Sequence, residues 1–466
     1  MASSFDYKKR MRYNVLIGGQ AGQGPNHLTK ILAEALIKKG YFVFYSRDYQ
    51  SLIRGGHNFN ILTFSDELVY SNDSKIDVIV ALDDNTEKIH KKDLKKDGKI
   101  IKTDSSDNEI GNKILNLFNL PKKKNGFSLM NGSQGIAEGS IKSGLDIYYA
   151  YPMTPATPLL FELAQREEKD NLLVFQPENE ISVAIAGIGS ALTGAKVMVG
   201  TSGGGFDLMT EALSLTGQAE VPIVFYLAQR PGPGTGVPTY TGQGDLMMAL
   251  HSGHGEFSRL VLSPGDPVEC QELISQAFYF SQKYRIPCII LSDKHLSEAA
   301  YPLLNKEKPV ITKSLKFNSL IKYSSYESED GIATSDPEVI KNNISRRLKK
   351  AQEIKKEAQK FTMYKIFGKK DSKNVVLSYG STKGAILDSI EDLDVKFIQV
   401  LYLEPFPDIR KDLEDKKVIL VENSSTGMLA DLIREKTGIR VESKILRADG
   451  RPFLCDELKE EIMRLI

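Results

Sequence analysis

Short apolar runs that stop at a glycine-rich turn and resume with helical spacing recur along this chain, and that alternation leaves few folds open to it. The first begins with Asn14-Val15-Leu16-Ile17 and meets the turn Gly18-Gly19-Gln20-Ala21-Gly22-Gln23-Gly24. Residues 27–39 follow with apolar positions at Leu28, Ile31, Leu32, Ala35 and Leu36, the spacing of one helical face. Gly40 stops that helix, and 41–45 and 78–82 read as strands. Strand, turn, helix, strand predicts an α/β unit built on a parallel sheet.

The pattern returns twice. Residues 127–301 are rich in Gly and Ala and place strands at 172–175, 195–199, 223–227 and 287–291. A third block opens with the strand Asn374-Val375-Val376-Leu377-Ser378, turns through Gly380-Ser381-Thr382-Lys383-Gly384 into a helix, and adds strands at 397–402 and 418–421. Pro121-Lys122-Lys123-Lys124-Asn125-Gly126 reads as a linker. The polar stretch 302–370, charged around 346–356, reads as a connecting arm with one exposed helix. At 466 residues the chain exceeds one ordinary core, and the expected division is 1–125, 126–301, the arm 302–370, and 371–466, giving three α/β domains.

Composition removes several function classes. Lys plus Arg is 61 against 60 for Asp plus Glu, so no overall field draws the chain to nucleic acid or an acidic membrane. The basic runs at Lys91-Lys92 and Lys122-Lys123-Lys124 read as solvated helix ends and linkers. The N-terminus carries no apolar segment of signal-peptide length, and nothing approaches the roughly 20 apolar residues of a membrane span, so a cytoplasmic location is expected. Cys270, Cys288 and Cys455 are far apart, which argues against a disulfide framework, a zinc site or a self-contained iron–sulfur cluster.

Six segments hold candidate chemistry. Gly18 to Gly24 sits where a strand enters a helix, a place that suits an anion but equally a tight turn needing positive φ. Arg54-Gly55-Gly56-His57 is a second anion candidate or a structural pair. Tyr151-Pro152-Met153-Thr154-Pro155-Ala156-Thr157-Pro158 has three prolines in eight residues, stiff enough to aim the Thr154 hydroxyl at a ligand or simply to bridge two elements. Glu180 opens a small-residue helix, where the helix dipole stabilises a carboxylate whatever its role, and Thr201-Ser202-Gly203-Gly204-Gly205 permits close approach of a flat ligand or a subunit. Arg230 follows a strand end in a loop of Pro and Gly, placed to clamp a carboxylate or to sit at the surface.

In order and spacing these segments resemble the alpha subunit of 2-oxoacid:ferredoxin oxidoreductases, of the type with a gamma domain fused at its N-terminus. The resemblance rests on Gly18–Gly24 with Ser51-Leu52-Ile53-Arg54-Gly55-Gly56-His57-Asn58, on the Tyr151 and Glu180 segments, on Thr201–Gly205, and on 229–239. Tyr379-Gly380-Ser381-Thr382-Lys383-Gly384, Pro405-Phe406-Pro407 and Asp449-Gly450-Arg451-Pro452-Phe453 extend it through the third block. It implies a gamma-like domain, a thiamine-diphosphate pyrimidine-binding core and a transketolase C-terminal-like domain. It further implies that Glu180 hydrogen-bonds N1′ of the thiamine aminopyrimidine, that Thr154 contacts the substrate and that Arg230 holds the carboxylate of the 2-oxo acid. Pro152 and Gly203 become cofactor contacts, and Gly22 and Gly24 contacts for coenzyme A. The implied reaction is CoA-dependent oxidative decarboxylation of a 2-oxo acid (pyruvate, 2-oxoglutarate or branched-chain), with electrons passed to ferredoxin.

The chain shows no segment for the cofactor's magnesium and no cluster cysteines, so Mg2+ and the iron–sulfur cluster are expected on a beta subunit, without which this chain is inactive. It departs from the family's pattern at Asn131-Gly132-Ser133-Gln134-Gly135, at Met428, and after Asp330-Gly331-Ile332, where an acidic, histidine-bearing segment looks deleted. Two rival readings are a non-catalytic scaffold subunit with a degenerate thiamine site, which an acid at 180 disfavours, and a nucleotide-binding enzyme acting alone.

Overall fold

Apolar strands alternating with amphipathic helices bury their surfaces best as sheets covered by helices, and the described residues form two five-stranded sheets, one seven-stranded sheet and two short ribbons. The computed structural model describes residues 11–50, 56–105, 107–123, 126–304, 308–313, 315 and 325–466. Two compact units result, one of Met1–Met130 with Ala299–Glu307 and Leu454–Leu458, the other of Asn131–Glu298, Lys308–Phe453 and Lys459–Ile466.

The first unit carries a mixed sheet, not the parallel one its sequence predicts. Its order is Phe42–Asp48, His57–Ser65, Arg12–Gln20, Ile76–Ala81, Leu94–Lys102. His57–Ser65 runs antiparallel to both neighbours, while Arg12–Gln20, Ile76–Ala81 and Leu94–Lys102 are mutually parallel. The inserted strand opens with polar residues, which hides it from a search for apolar runs. Its buried Asn60 is satisfied by the helix Pro25–Lys38 region, donating to Asn26 Oδ1 at 2.8 Å and to Thr29 Oγ1 at 2.9 Å. A polar residue paired this way costs little to bury. Two strands at the ends of the middle stretch, Phe127–Met130 and Tyr301–Leu304, pair with each other and belong to this unit.

The second unit is built on the seven-stranded sheet. Its order is Tyr402–Glu404, Leu260–Leu262, Pro287–Asp293, Ile223–Gln229, Val197–Thr201, Ile147–Ala150, Leu173–Phe175. All these pairings are parallel except the first. The segment 397–402, expected as one strand, is two: Lys396–Val400 stays in the third sheet and Tyr402–Glu404 crosses to edge the seven-stranded one. The third sheet runs Tyr364–Gly368, Lys396–Val400, Asn374–Tyr379, Lys417–Glu422, Ser443–Leu446, parallel but for the first strand. One apolar core, including Val199, Phe225, Ile289, Leu377, Ile398 and Leu420, runs through both sheets. The exposed helix expected in the arm is Pro337–Ala358. Among the described residues no helix is long and apolar enough to cross a membrane.

A buried ionic cluster also ties the two sheets. Glu269, on the helix Pro267–Tyr284, accepts from Lys383 Nζ at 2.6 Å, Lys365 Nζ at 2.9 Å, Gln399 Nε2 at 2.6 Å and the Gly265 N–H at 2.8 Å. Lys383 also bridges to Asp266. Burial alone would push the Glu269 carboxyl up, but Lys383 and Lys365 hold it down to about 2. A lysine in the Gly380–Gly384 turn thus serves as a rivet.

Replacing Lys383 by Met leaves Glu269 and Asp266 short of a buried counter-charge, and a chemical unfolding curve should show a loss of about 3–5 kcal/mol. Because Glu269 titrates low in the folded chain, the stabilisation is complete above its unfolded value near 4.3 and is lost as pH falls towards about 2. The gap between wild type and Lys383→Met should therefore narrow across that window.

Candidate active site

In an open parallel sheet, groups at the carboxyl ends of neighbouring strands converge on one crevice. Four such ends in the second unit lead directly into candidate segments. Ile147–Ala150 feeds the proline-rich turn, Leu173–Phe175 precedes the segment that ends at Glu180, Val197–Thr201 feeds the glycine turn, and Ile223–Gln229 delivers Arg230.

Glu180 is the first residue of the helix Glu180–Leu192, whose N-cap Asn179 accepts from the Ser182 N–H at 2.9 Å. The cap fixes the helix start and with it the direction of the acid. Glu180 is 4% exposed, and its Oε1 is buried with no hydrogen-bond partner. Gly205 makes this placement possible: a Cβ there would collide with the Thr201 hydroxyl and come within 2.8 Å of Glu180 Oε1.

Arg230 is 7% exposed, and Nη1 donates to the Thr154 carbonyl at 2.6 Å while Nε has no partner. Burial lowers its pKa, opposed by the nearby charges of Asp245 and Glu180. The proline-rich turn is tied down a second time, where Thr201 Oγ1 meets Met153 Sδ at 3.9 Å. Thr154, Glu180 and Arg230 are therefore brought together, and Pro152 lies exposed on the same turn.

Gly203 is a glycine for a reason other than the expected one. A Cβ on it would lie 2.7 Å from Asp245 Oδ2 and 3.0 Å from Oδ1, so the space a flat ligand was expected to use is filled by this chain's own carboxyl group. Any ligand contact at Gly203 is left to its backbone. The sequence alone gives no site role to Asp245. It stands at the end of Thr241-Gly242-Gln243-Gly244, just before the helix Leu246–His251, where an aspartate reads as a helix cap. It makes no such cap bond. Burial and Asp207 push its pKa up to about 6, with Arg230 opposing.

Buried polar atoms without partners thus collect around this turn: Glu180 Oε1, Ser202 Oγ, Arg230 Nε and Asp245 Oδ2. Each costs about 1–3 kcal/mol unless a ligand or water completes it. Next to the acid, the helix Glu180–Leu192 exposes Ile181 (53%) and Ile185 (45%), and the adjacent free edge of the sheet exposes Leu173 and Phe175.

The remaining predicted residues lie in the first unit. Gly22 has φ 97° with open space where a side chain would stand, and Gly24, φ 87°, is the N-cap of Pro25–Lys38. Of the Arg54–His57 motif, Arg54 and Gly55 fall outside the described residues. His57 Nε2 meets His90 Nε2 at 3.0 Å, and burial followed by the His57 charge lowers His90 to about 4.

Comparison with known proteins matches residues 138–363 to the family described as "Pyruvate flavodoxin/ferredoxin oxidoreductase, thiamine diP-bdg" and residues 14–213 to "Pyruvate ferredoxin/flavodoxin oxidoreductase". The 2-oxoacid:ferredoxin oxidoreductase subunit alpha of Sulfolobus sp is 27% identical, across 98% of this chain and 97% of that protein. That alignment spans 615 residues, longer than this chain, so the relative carries residues with no counterpart here. The 2-oxoglutarate synthase subunit KorA of Methanocaldococcus jannaschii is 31% identical, across 63% of this chain and 87% of that protein. In structure, the chain shares the fold of a 2-oxoglutarate:ferredoxin oxidoreductase from Magnetococcus marinus, solved with 2-oxoglutarate, coenzyme A and succinyl-CoA bound. The TM-score is 0.82 at 22% identity, over 97% of this chain and 99% of that one.

The raised Asp245 pKa carries a stability consequence. The carboxylate is worse solvated folded than unfolded, so the group's favourable contribution is complete below its unfolded value near 3.9 and is lost as pH rises through about 6. Asp245→Asn should melt like wild type at pH 4 and be about 1–2 kcal/mol more stable at pH 7.5, as thermal denaturation across that range will show.

Proposed function

The chain belongs to the 2-oxoacid:ferredoxin oxidoreductase alpha-subunit family, and from that premise we propose that it activates thiamine diphosphate for the CoA-dependent oxidative decarboxylation of a 2-oxo acid. The observation that carries this reading is the buried, partnerless Oε1 of Glu180 at the strand ends. A carboxyl oxygen held out of water needs a donor, and the protonated N1′ of an aminopyrimidine ring is one that this chain lacks and thiamine diphosphate has. When bound, that cofactor supplies the nucleophilic carbon that attacks a 2-oxo group.

The residues fit the group, and this chain's share of the work follows from their placement. Glu180 would hold the proton at N1′, its position fixed by the Asn179 cap and the Gly205 contact. Arg230, already steadied by the Thr154 carbonyl, would take the carboxylate of the 2-oxo acid through its free donors. The Thr154 hydroxyl would face the substrate, with Pro152 and the Gly203 backbone against the cofactor. In the first unit, read as the gamma-like domain, Gly22 and Gly24 would contact coenzyme A at the head of Pro25–Lys38. The domain roles proposed are gamma-like for 1–125, pyrimidine-binding for 126–301 and transketolase C-terminal-like for 371–466.

A beta subunit completes this scheme, bringing Mg2+ and the iron–sulfur cluster that passes electrons to ferredoxin. The apolar residues beside Glu180 support a face for it. Ile181, Ile185 and Gly189 repeat every fourth residue along one exposed line of the helix, a ridge that a facing helix can straddle.

Two outcomes are expected. In the complex reconstituted with its beta subunit, Glu180→Gln should lower 2-oxo-acid-dependent dye reduction by about 10²–10⁴-fold; equal rates would remove Glu180 from the reaction and favour a silent scaffold. Ile185→Asp should abolish co-purification with the beta subunit while changing the melting temperature of the isolated chain by only a few degrees, since the side chain is already about half exposed.

A further inference from the structure

Asp245 is a half-buried acid whose Oδ2 is wholly out of water, without an ordinary structural reason. It does not cap the helix that follows it, and among the described residues its Oδ2 takes no hydrogen bond and no cation pairs with it. Its backbone is nevertheless tightly placed: the N–H donates to Gln229 Oε1 at 3.0 Å, and Gln229 Nε2 donates to the Ser292 carbonyl at 3.1 Å. Gln229 is the residue before Arg230. Asp245 is thus pinned to the base of the arginine, with its carboxyl oxygens against the bare face of Gly203.

The charges around it are few. Asp207 faces it from the helix Gly203–Leu208, Arg230 from the end of the central strand and Tyr379 from the strand Asn374–Tyr379, while Glu180 also acts on Arg230. In the chain alone, one guanidinium therefore faces Asp245 and Glu180, with Asp207 adding a further negative charge beside Asp245. A substrate carboxylate arriving at Arg230 adds one more. A largely buried site does not hold that excess, because each further unpaired charge out of water costs several kcal/mol. Neutralising one acid at this arginine relieves that excess.

We propose that Asp245 is a positioning residue for Arg230, and that its carboxyl takes up a proton from solvent when the carboxylate of a 2-oxo acid binds that arginine. The inference rests on the reading of Arg230 as the carboxylate clamp. Asp245 is suited to the part because burial and Asp207 already raise it to about 6 before any ligand arrives. Before binding, its negative charge favours the guanidinium that the Thr154 carbonyl holds; after binding, its loss leaves Arg230 wholly to the substrate. The only bond made is the O–H of the Asp245 carboxyl. Substrate affinity and proton uptake are then linked, so affinity must fall as pH rises through the substrate-bound value of Asp245.

The test uses the complete complex with its beta subunit, with pyruvate and 2-oxoglutarate as probes. KM for whichever acid turns over is measured from pH 6 to 8.5 in wild type, Asp245→Asn and Arg230→Ala. The heat of titrating the same acid into the cofactor-free complex, in two buffers of different ionisation enthalpy, counts protons without any turnover. Expected are a wild-type KM that climbs by up to about tenfold per pH unit in the upper part of the range, proton uptake on binding, and the loss of both in Asp245→Asn, whose KM stays within twofold. A merely structural Asp245 would move KM and kcat without flattening the pH profile, and the proposal falls if Asp245→Asn keeps the wild-type slope and uptake. It falls equally if the wild type takes up no proton, a result independent of any variant's folding. Arg230→Ala separates the two readings. An unchanged KM there sinks the clamp itself; a KM raised a hundredfold beside a still-sloping Asp245→Asn sinks only the role of Asp245.

Discussion

Glu180 can hold its carboxyl group out of water beside Thr201 because residue 205 has no side chain. Any Cβ at that point would strike the Thr201 hydroxyl and press on Oε1 of the acid, and the helix Glu180–Leu192 would have to move away from the sheet or turn its first residue outward. The same device recurs two residues earlier, where the absence of a side chain on Gly203 admits Asp245. Both acids lie within reach of the Arg230 charge. A stretch of three glycines therefore does electrostatic work: it sets how close two carboxylates can come to one guanidinium.

Such an arrangement is costly, and the fold carries the cost elsewhere. Within the same unit, Glu269 receives two lysines, a glutamine and a backbone N–H, and Glu422 receives the Ser424 hydroxyl and the N–H groups of Met428 and Leu429. These buried acids are satisfied in full, so the chain is able to satisfy buried acids. That Glu180 and Asp245 are left short, both within reach of one arginine, marks a place kept ready for groups the chain does not contain. The shared apolar core and the Lys383 cluster keep the sheets rigid enough for that readiness to persist.

Much of this is legible in the sequence. Strands at 223–227 and 287–291, the helix opening at Glu180 and the arm helix announce themselves by apolar runs and spacing, because in a sheet covered on both faces burial and sequence pattern coincide. The meeting of Thr154, Glu180 and Arg230 followed from strand ends and from family resemblance together. What escaped was governed by pairing. The strand His57–Ser65 looks like a polar loop until Asn26 and Thr29 are seen to satisfy Asn60. The break between Lys396–Val400 and Tyr402–Glu404 depends on a sheet edge contributed by residues more than a hundred positions away.

Asp245 escaped for a different reason, and it shows where sequence reading of a site runs out. An aspartate after Gly244 and before an apolar helix has a sufficient local explanation as a cap, and nothing in its neighbours contradicts it. Only the three-dimensional accounting does: the cap bond is missing, the oxygen is buried, and the backbone is tied to the residue that carries the arginine. A residue whose local role is vacant while its position is closely held is under a non-local constraint. Here the constraint is charge balance around Arg230, a sum over groups from three separate elements that no window of the sequence contains.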